Sequence, residues 1–572
     1  MAEFDVIIRG GMVIDGTRLP RYRADVGIKD GKIAKLGRLR AHEANKVIDA
    51  EGQYVVPGFI DLHTHYDAQL FWDPYCTISS WHGVTSIVIG NCGFGFAPVK
   101  PEMRDRAMLT MTRTEAIPYA AMKAGMPWDW VTYPEFLDSV ERHPKGVNMV
   151  PFLPMAPVMS WVMGLEEAKS GRMPTERETK EMQRMIHEAM DHGACGWSAQ
   201  RFGENSVQAD YDGTPMVTDL MHDETALALA SVLGERNAGF IQMSYIPNSS
   251  RYEGDAQDHT EKHFEELAIA SGRPILYNAI AINDTYPERF RRQLHWIESC
   301  AKRGIRVYGQ SATLDVSLLF TFKDWNLWDD MPEWREVTIG SIEDRLLKLS
   351  DPERRPGLRK LDHMTGAVTN DVSAITIIQC KRADLKKYEN MTVGEVAKAE
   401  KKHPVDAMLD IATADGLNTE FYTPPLNTRD DYLKEMVTSN GMAIFGVSDG
   451  GAHTKFFSGG RYTTEALIRM GRDSDMLSLE ELHFRLSAHP AIAGGFKNRG
   501  TLVEGNCADV VVYDLNKLAI KPLEIVNDFP GGEWRRVQRS EGYSAMLVNG
   551  EVTFEDGKCS GATPGRLLRS GG

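Results

Sequence analysis

Eight short apolar runs, each followed by a polar or helix-forming stretch, dominate the middle of this 572-residue chain. They lie near 55–65, 85–92, 148–155, 194–198, 239–244, 274–279, 306–311 and 442–449. Runs that are apolar at nearly every position suit strands buried on both faces, the condition of a parallel sheet covered by helices. Eight strand-then-helix units are the number that closes a (β/α)8 barrel of the TIM type. Such barrels keep their chemistry at the carboxyl ends of the strands, where polar residues collect in this sequence. The fold class expected is α/β.

The two ends of the chain have a different texture. Alternation in the strand period occupies 5–9, 12–14 and 24–28, with a Gly10-Gly11 turn and a Lys29-Asp30-Gly31-Lys32 hairpin turn. It returns at 508–514 and 545–552. We therefore expect residues 1–54 and 496–572 to close one small β-domain, with the barrel, 55–495, inserted between its halves. About 130 residues separate the seventh and eighth runs, too many for a plain connection, so a lid or sub-domain is expected at about 313–440. It carries Trp325, Trp328, Trp334 and a helix-like stretch over 393–401.

With 42% hydrophobic and 25% charged residues the chain can bury a large core. Its net charge of −15 weighs against a general nucleic-acid or anionic-membrane partner. Seven cysteines show no C-x-x-C pairing, as in a reducing compartment. Glu3 and Asp5 stand where a secretory signal would carry positive charge, and no apolar run precedes Gly10, so a cytoplasmic location is expected. The uncharged stretch 147–165 is as long as a membrane span. Pro151, Pro154 and Pro157 would break a helix there, and it reads as a strand feeding an apolar loop.

The sharpest chemical signal is Gly58-Phe59-Ile60-Asp61-Leu62-His63-Thr64-His65-Tyr66-Asp67. Alternate residues of a strand share a face, so His63 and His65 can present both rings to one metal ion, with Asp61 and Asp67 available to orient the rings. On the last run, Ser448-Asp449-Gly450 puts a carboxylate at the end of an apolar strand. There it can bind a divalent ion and act as general base toward water. His453 lies four residues on, where substrate contact and a solvent-facing loop position are equally open readings. His259 and His263 have a zinc-compatible spacing but stand in a charged stretch, and a solvated helix face is the better reading. His82 and His222 have no partners legible in the sequence. The formal G-x-S-x-G match at 446–450 lacks an assignable acid and histidine downstream, and neither a Walker loop nor a dinucleotide fingerprint occurs.

These motifs resemble the amidohydrolase superfamily, taken together with Gly90-Asn91-Cys92-Gly93 and the closing segment 500–510. Within it the chain is similar to the N-acyl-D-amino-acid deacylase (D-aminoacylase-like) branch. Gly193-Ala194-Cys195-Gly196-Trp197-Ser198 resembles that branch's fourth strand. The resemblance implies a zinc-dependent hydrolase with a TIM barrel and a β-sandwich formed by the terminal segments. It implies His63, His65 and Asp449 as metal ligands and Cys92 as the branch's cysteine ligand; without it, Cys92 would read as a small buried hydrophobe.

Two positions depart from the branch. Where it carries histidines after the fifth and sixth strands, this chain has Gln242 and Asn278. Amide oxygens bind zinc weakly compared with imidazole, so one Zn2+ is expected in place of two, with Gln242 and Asn278 free to hydrogen-bond the substrate or the attacking water. The activity expected is hydrolysis of an amide bond in a small, N-acyl amino acid-like and partly hydrophobic substrate, with Asp449 as base. Opening of a lactone or ester, or cleavage of a C–C bond, on the same barrel is a rival reading, and a non-catalytic binding protein with a degraded site is another. Trp72, Trp81, Trp128, Trp130, Trp161, Met155, Met159 and Met163 suit either an apolar pocket at the barrel mouth or packing under a lid, and the apolar loops also suit a homo-oligomer.

Overall fold

The eight runs form strands that pair in parallel and in chain order. They are β1 (Phe59–Asp61), β2 (Val84–Ile89), β3 (Asn148–Pro151), β4 (Gly196–Arg201), β5 (Phe240–Tyr245), β6 (Ile275–Ile280), β7 (Val307–Ser311) and β8 (Ala443–Phe445). The computed structural model describes residues 2–245, 255–324, 327–361, 371–439 and 441–569. β1 pairs with β2 and β2 with β3; β3 runs on through Phe152 into Leu153–Pro154, which pairs with β4. β4 to β8 then follow as parallel neighbours. The two ends of the series meet just past their strands, where Thr64 bridges Gly450 in parallel and the His65 N–H donates to Gly450 O at 2.7 Å.

Local sequence explains these elements. β2 reads VTSIVI and is buried at every position, which β-branched side chains tolerate well on a pleated surface. The helix Glu176–Asp191 buries Met182, Met185, Ile186, Ala189 and Met190, a single stripe at helical spacing, and opens on a Thr175–Glu178 capping box. Residues 147–165 become β3 and the nine-residue helix Met155–Met163. Among the described residues no helix is long and apolar enough to cross a membrane.

The first run departs from expectation, because it is two strands in two sheets. Tyr54–Pro57 pairs with Val510–Tyr513 and Met12–Val13, and only from Phe59 does the chain join β2. Gly58 makes the crossing. A Cβ there would lie 2.1 Å from Thr85 Oγ1, so no other residue fits without moving β2.

The terminal segments interleave. A seven-stranded sheet joins Met12–Val13, Tyr22–Arg23 and Tyr54–Pro57 to Val510–Tyr513, Tyr543–Val548, Glu551–Glu555 and Lys558–Cys559; a four-stranded sheet carries Phe4–Arg9, Asp25–Lys29, Lys32–Gly37 and Ala44–Asp49. Val6, Ile8, Val26 and Ile28 of the second sheet share one core with Val55, Val510, Val512 and Leu547 of the first. Between β7 and β8 the chain builds a separate core around Phe320, Phe322, Trp328, Trp334 and Phe421, over a three-stranded antiparallel sheet. The helix expected over 393–401 is Val393–Glu400. Trp325 lies outside the described residues.

Candidate metal centre

β1 delivers His63 and His65 on one face, ring centroids 5.4 Å apart. After β2 the chain turns sharply through Asn91–Gly93, and Cys92 takes the left-handed conformation at φ +56°. Gly93, at φ +76°, lets this turn press against β4, since a Cβ would lie 2.9 Å from Ala199 Cα. Asn91 Nδ2 donates to Thr64 O at 3.1 Å and Val88 O at 3.0 Å, tying the turn to the end of β1. One ligand atom from each of His63, His65 and Cys92 falls within 4.8 Å of the others, and all three residues are buried. Cys92 Sγ is 3.4 Å from His63 Nε2. Asp449, just past β8 at φ +48°, brings Oδ1 to 3.3 Å from His63 Nε2 and 3.7 Å from His65 Nε2.

Partners fix how the rings face. His63 Nδ1 lies 3.2 Å from Gln310 Oε1, a contact that needs the proton on Nδ1 and leaves the Nε2 lone pair for the centre. His65 Nδ1 has no hydrogen-bond partner and sits 4.0 Å from Glu115 Oε1. Glu115 is buried, and its Oε2, 4.0 Å from His453 Nε2, is also unpartnered. Asp61 and Asp67 do not orient the rings as expected. Asp61 Oδ1 instead accepts the backbone N–H of His63 at 3.2 Å, and burial raises both carboxyls to about 7. Gln310 and Glu115 face the rings in their place.

The thiol and the carboxylates gather negative charge around the two rings. Burial opposes charge on Cys92, yet the His63 charge and hydrogen bonds from both rings bring its thiol down to about 7. Burial likewise works against charge on His63, and the Cys92 thiolate and Asp449 raise it to about 9. Asp449 is held well below the usual carboxylate range by His65, His63 and His453 despite burial of its surroundings. The anions that favour protons on these rings favour a divalent cation in their place.

The amides have defined tasks. Gln242 Oε1 accepts the Cys92 backbone N–H at 2.7 Å. Asn278 Nδ2 donates to Ser244 Oγ at 2.8 Å, and Ser244 Oγ lies 3.6 Å from Cys92 Sγ. Asn278 Oδ1 is buried and unpartnered. The register explains the grouping, because Gln200, Ser244, Asn278 and Gln310 pair successively across β4 to β7 and share one level. Sequence reasoning missed Ser244, Gln310 and Glu115. For Ser244 a signal existed, as it alternates with Gln242 on β5.

His453 is buried, not solvent-facing. Its Nδ1 contacts Thr114 O at 3.0 Å, and its Nε2 is 3.8 Å from Asp449 Oδ2. The solvated-face reading of 259–263 fails for His263, which is 1% exposed and accepts from Arg201 at 2.7 Å. His259 is half-exposed and lies 2.9 Å from the Tyr245 hydroxyl. His82 contacts Thr464 Oγ1 and Gln538 O, and His222 donates to Gly171 O. Among the tryptophans and methionines, packing accounts for most: Trp72, Trp128, Trp130, Met155, Met159 and Met163 join the main core, and Trp81 lies under Arg539. Trp161 instead borders a cavity of about 220 Å³ that begins at Phe94.

Strand order and side chains together define an α/β protein with two imidazoles, a thiol and a carboxylate converging at the carboxyl ends of parallel strands. Residues 46–143 match the family described as Amidohydrolase family. The chain is 30% identical over 571 residues to an N-acyl-D-aspartate deacylase of Alcaligenes xylosoxydans xylosoxydans, covering 100% of this chain and 96% of the relative. It is 27% identical over 621 residues to an uncharacterised protein of Mycobacterium tuberculosis, covering 99% and 96%. The crystal structure of an N-acyl-D-glutamate deacylase from Bordetella bronchiseptica, complexed with zinc and a phosphonate inhibitor, has a similar fold. Its TM-score is 0.67 at 22% identity, over 99% of this chain and 100% of that one. The chain belongs to the amidohydrolase family, on its N-acyl-D-amino-acid deacylase-like branch, and is an enzyme of that family.

Proposed function

We propose that this enzyme hydrolyses the amide bond of an N-acyl amino acid, with one zinc ion held by His63, His65, Cys92 and Asp449. The observation that carries the reading is the convergence of those four side chains, with orphaned polar atoms on Glu115 and Asn278 around them. Two imidazoles, a thiolate and a carboxylate are a donor set suited to zinc. Among the described residues a second ion has no comparable set, since Gln242 commits its oxygen to Cys92 and Asn278 offers only an amide.

When bound, the ion supplies Lewis acidity and makes water a nucleophile near neutral pH. The chain's own groups do the rest. Asp449 is ionised at neutral pH, and its side chain is 26% exposed, so water and substrate can reach it. It takes a proton from the attacking water as the water oxygen bonds to the acyl carbon. It then hands that proton to the nitrogen as the C–N bond breaks, releasing a carboxylic acid and an amine. His453 and the free Asn278 Oδ1 are positioned to orient the substrate.

The strand pairings support a (β/α)8 barrel with an insertion at about 313–440 and a β-sandwich made of the terminal segments. We assign Tyr54–Pro57 to the sandwich. Seven free cysteines, most of them buried, fit a cytoplasmic enzyme.

The test is turnover of a panel of N-acyl-D- and N-acyl-L-amino acids with metal analysis alongside. Asp449→Asn should lower kcat on the order of 10³-fold or more while the protein stays folded. Near-wild-type turnover in that variant would refute the proton-transfer role. Failure of every panel member to release amino acid would favour the lactone, ester or C–C alternative.

A further inference from the structure

We propose that the cavity beside the metal centre is a subsite for the acyl chain of the substrate, selecting extended alkyl chains over acetyl; this rests on the hydrolase reading above. The cavity measures about 220 Å³ and is walled by three successive strand-to-helix connections. Phe94 comes from the loop after β2, Trp161 and Leu165 follow β3, and Val217 follows β4. Met103 and Ala107 close it from the segment that begins the helix Arg104–Arg113. All of these lie at the carboxyl ends of the strands, as the metal centre does.

Continuity with the centre comes from Phe94. It stands two residues past Cys92, its ring centroid is 6.3 Å from that of His65, and it borders the cavity. Phe94 thus faces the centre on one side and the cavity on the other, and an extended substituent on a carbonyl carbon near His65 reaches the cavity past its ring.

The charges decide which substituent. Arg106 and Asp210 also border the cavity, but they pair with each other at 2.5 Å, and Lys169 pairs with the same Asp210 oxygen at 2.5 Å. Lys100 lies over the Trp161 ring at 5.6 Å, with its charge toward solvent at the mouth. Arg106 is committed to Asp210, Lys100 stands exposed at the rim, and the rest of the wall is mostly apolar, which suits an alkyl group. The apolar cavity is assigned to the acyl group.

Burying one methylene is worth about 0.8 kcal/mol, so kcat/KM should rise roughly fourfold per methylene along N-acetyl, N-butanoyl and N-hexanoyl derivatives of one amino acid. Ala107→Phe fills the cavity from the helix, and Leu165→Trp fills it from the opposite wall should the first variant fold poorly. In either, the hexanoyl-to-acetyl ratio should collapse to within about threefold. Binding of acetate, butanoate and hexanoate to the zinc-loaded protein, measured by calorimetry, supplies an arm without turnover. Affinity should climb with length in the wild type and stay flat in the filled variants. Turnover without chain-length dependence would overturn the subsite and leave the hydrolase reading standing. Length-dependent binding with no amide hydrolysed would support the subsite while the hydrolase reading fails. A steep ratio persisting in both filled variants would overturn the assignment to this cavity.

Discussion

Replacing Gln242 with alanine should loosen the proposed metal centre without touching any of the four side chains assigned to the ion. Cys92 holds φ +56°, a conformation that costs a non-glycine residue on the order of 1–2 kcal/mol. Its N–H is secured at 2.7 Å by Gln242 Oε1, deep in the protein. Alanine leaves that N–H buried and unpartnered, a loss of about 1–3 kcal/mol. The turn can recover this only by relaxing toward an ordinary backbone conformation, which swings Sγ away from its place 3.4 Å from His63 Nε2. Because the proposed ion binds through Sγ, whose place depends on this turn, the loss is read as a loss of metal affinity. At about 1.4 kcal/mol per decade, zinc affinity should fall roughly 10- to 100-fold. Competition against a chelator of known affinity measures it, and the thiolate-to-metal band of the cobalt-substituted protein reports whether Sγ still binds. Gln242→Glu keeps an acceptor and should recover most of the affinity. An alanine variant that binds zinc within threefold of wild type, with the band intact, would refute the reasoning.

Two further predictions bear on other buried groups. Glu115→Ala removes the carboxylate facing His65 Nδ1 and should weaken zinc binding by about 10- to 100-fold, with Glu115→Gln intermediate; equal affinities in the same chelator competition would deny Glu115 any role in positioning that ring. His82 is buried against Thr464 and Gln538, and burial lowers it from 6.5 to about 4. The folded form thus binds this proton less readily than the unfolded chain. Its contribution is intact above pH 6.5 and is lost as the pH falls to 4, about 3 kcal/mol in all. The stability advantage of wild type over His82→Gln, from denaturant unfolding at pH 7 and pH 4, should shrink by that amount, and a pH-independent difference would contradict it.

Much of this architecture was legible because parallel strands buried on both faces are apolar throughout, so β2 and β5 stand out as runs in the sequence. The paired imidazoles were legible for a related reason: a period of two puts His63 and His65 on one face wherever the strand sits. The division at Gly58 was not, since Val55, Val56, Phe59 and Ile60 are equally apolar and only pairing reveals that two sheets claim them. Cys92 had no signal of its own beyond the family resemblance, because a lone thiol in an apolar setting reads as packing.

Gln310 and Glu115 were illegible for a deeper reason. What makes Gln310 important is its level beside Asn278 across the β6–β7 pairing, and registry between strands is set by packing that no local pattern encodes. Glu115 sits in a loop just past a helix and reaches the centre only because that loop packs against the segment after β8, where the His453 N–H donates to Glu115 O. Gln242 carries the argument furthest. Read along the chain it is an amide at a position where the family resemblance implies an imidazole. In three dimensions its oxygen holds the strained turn that presents Cys92. An amide unsuited to zinc then serves the proposed centre indirectly, by holding in place the thiol that suits the ion.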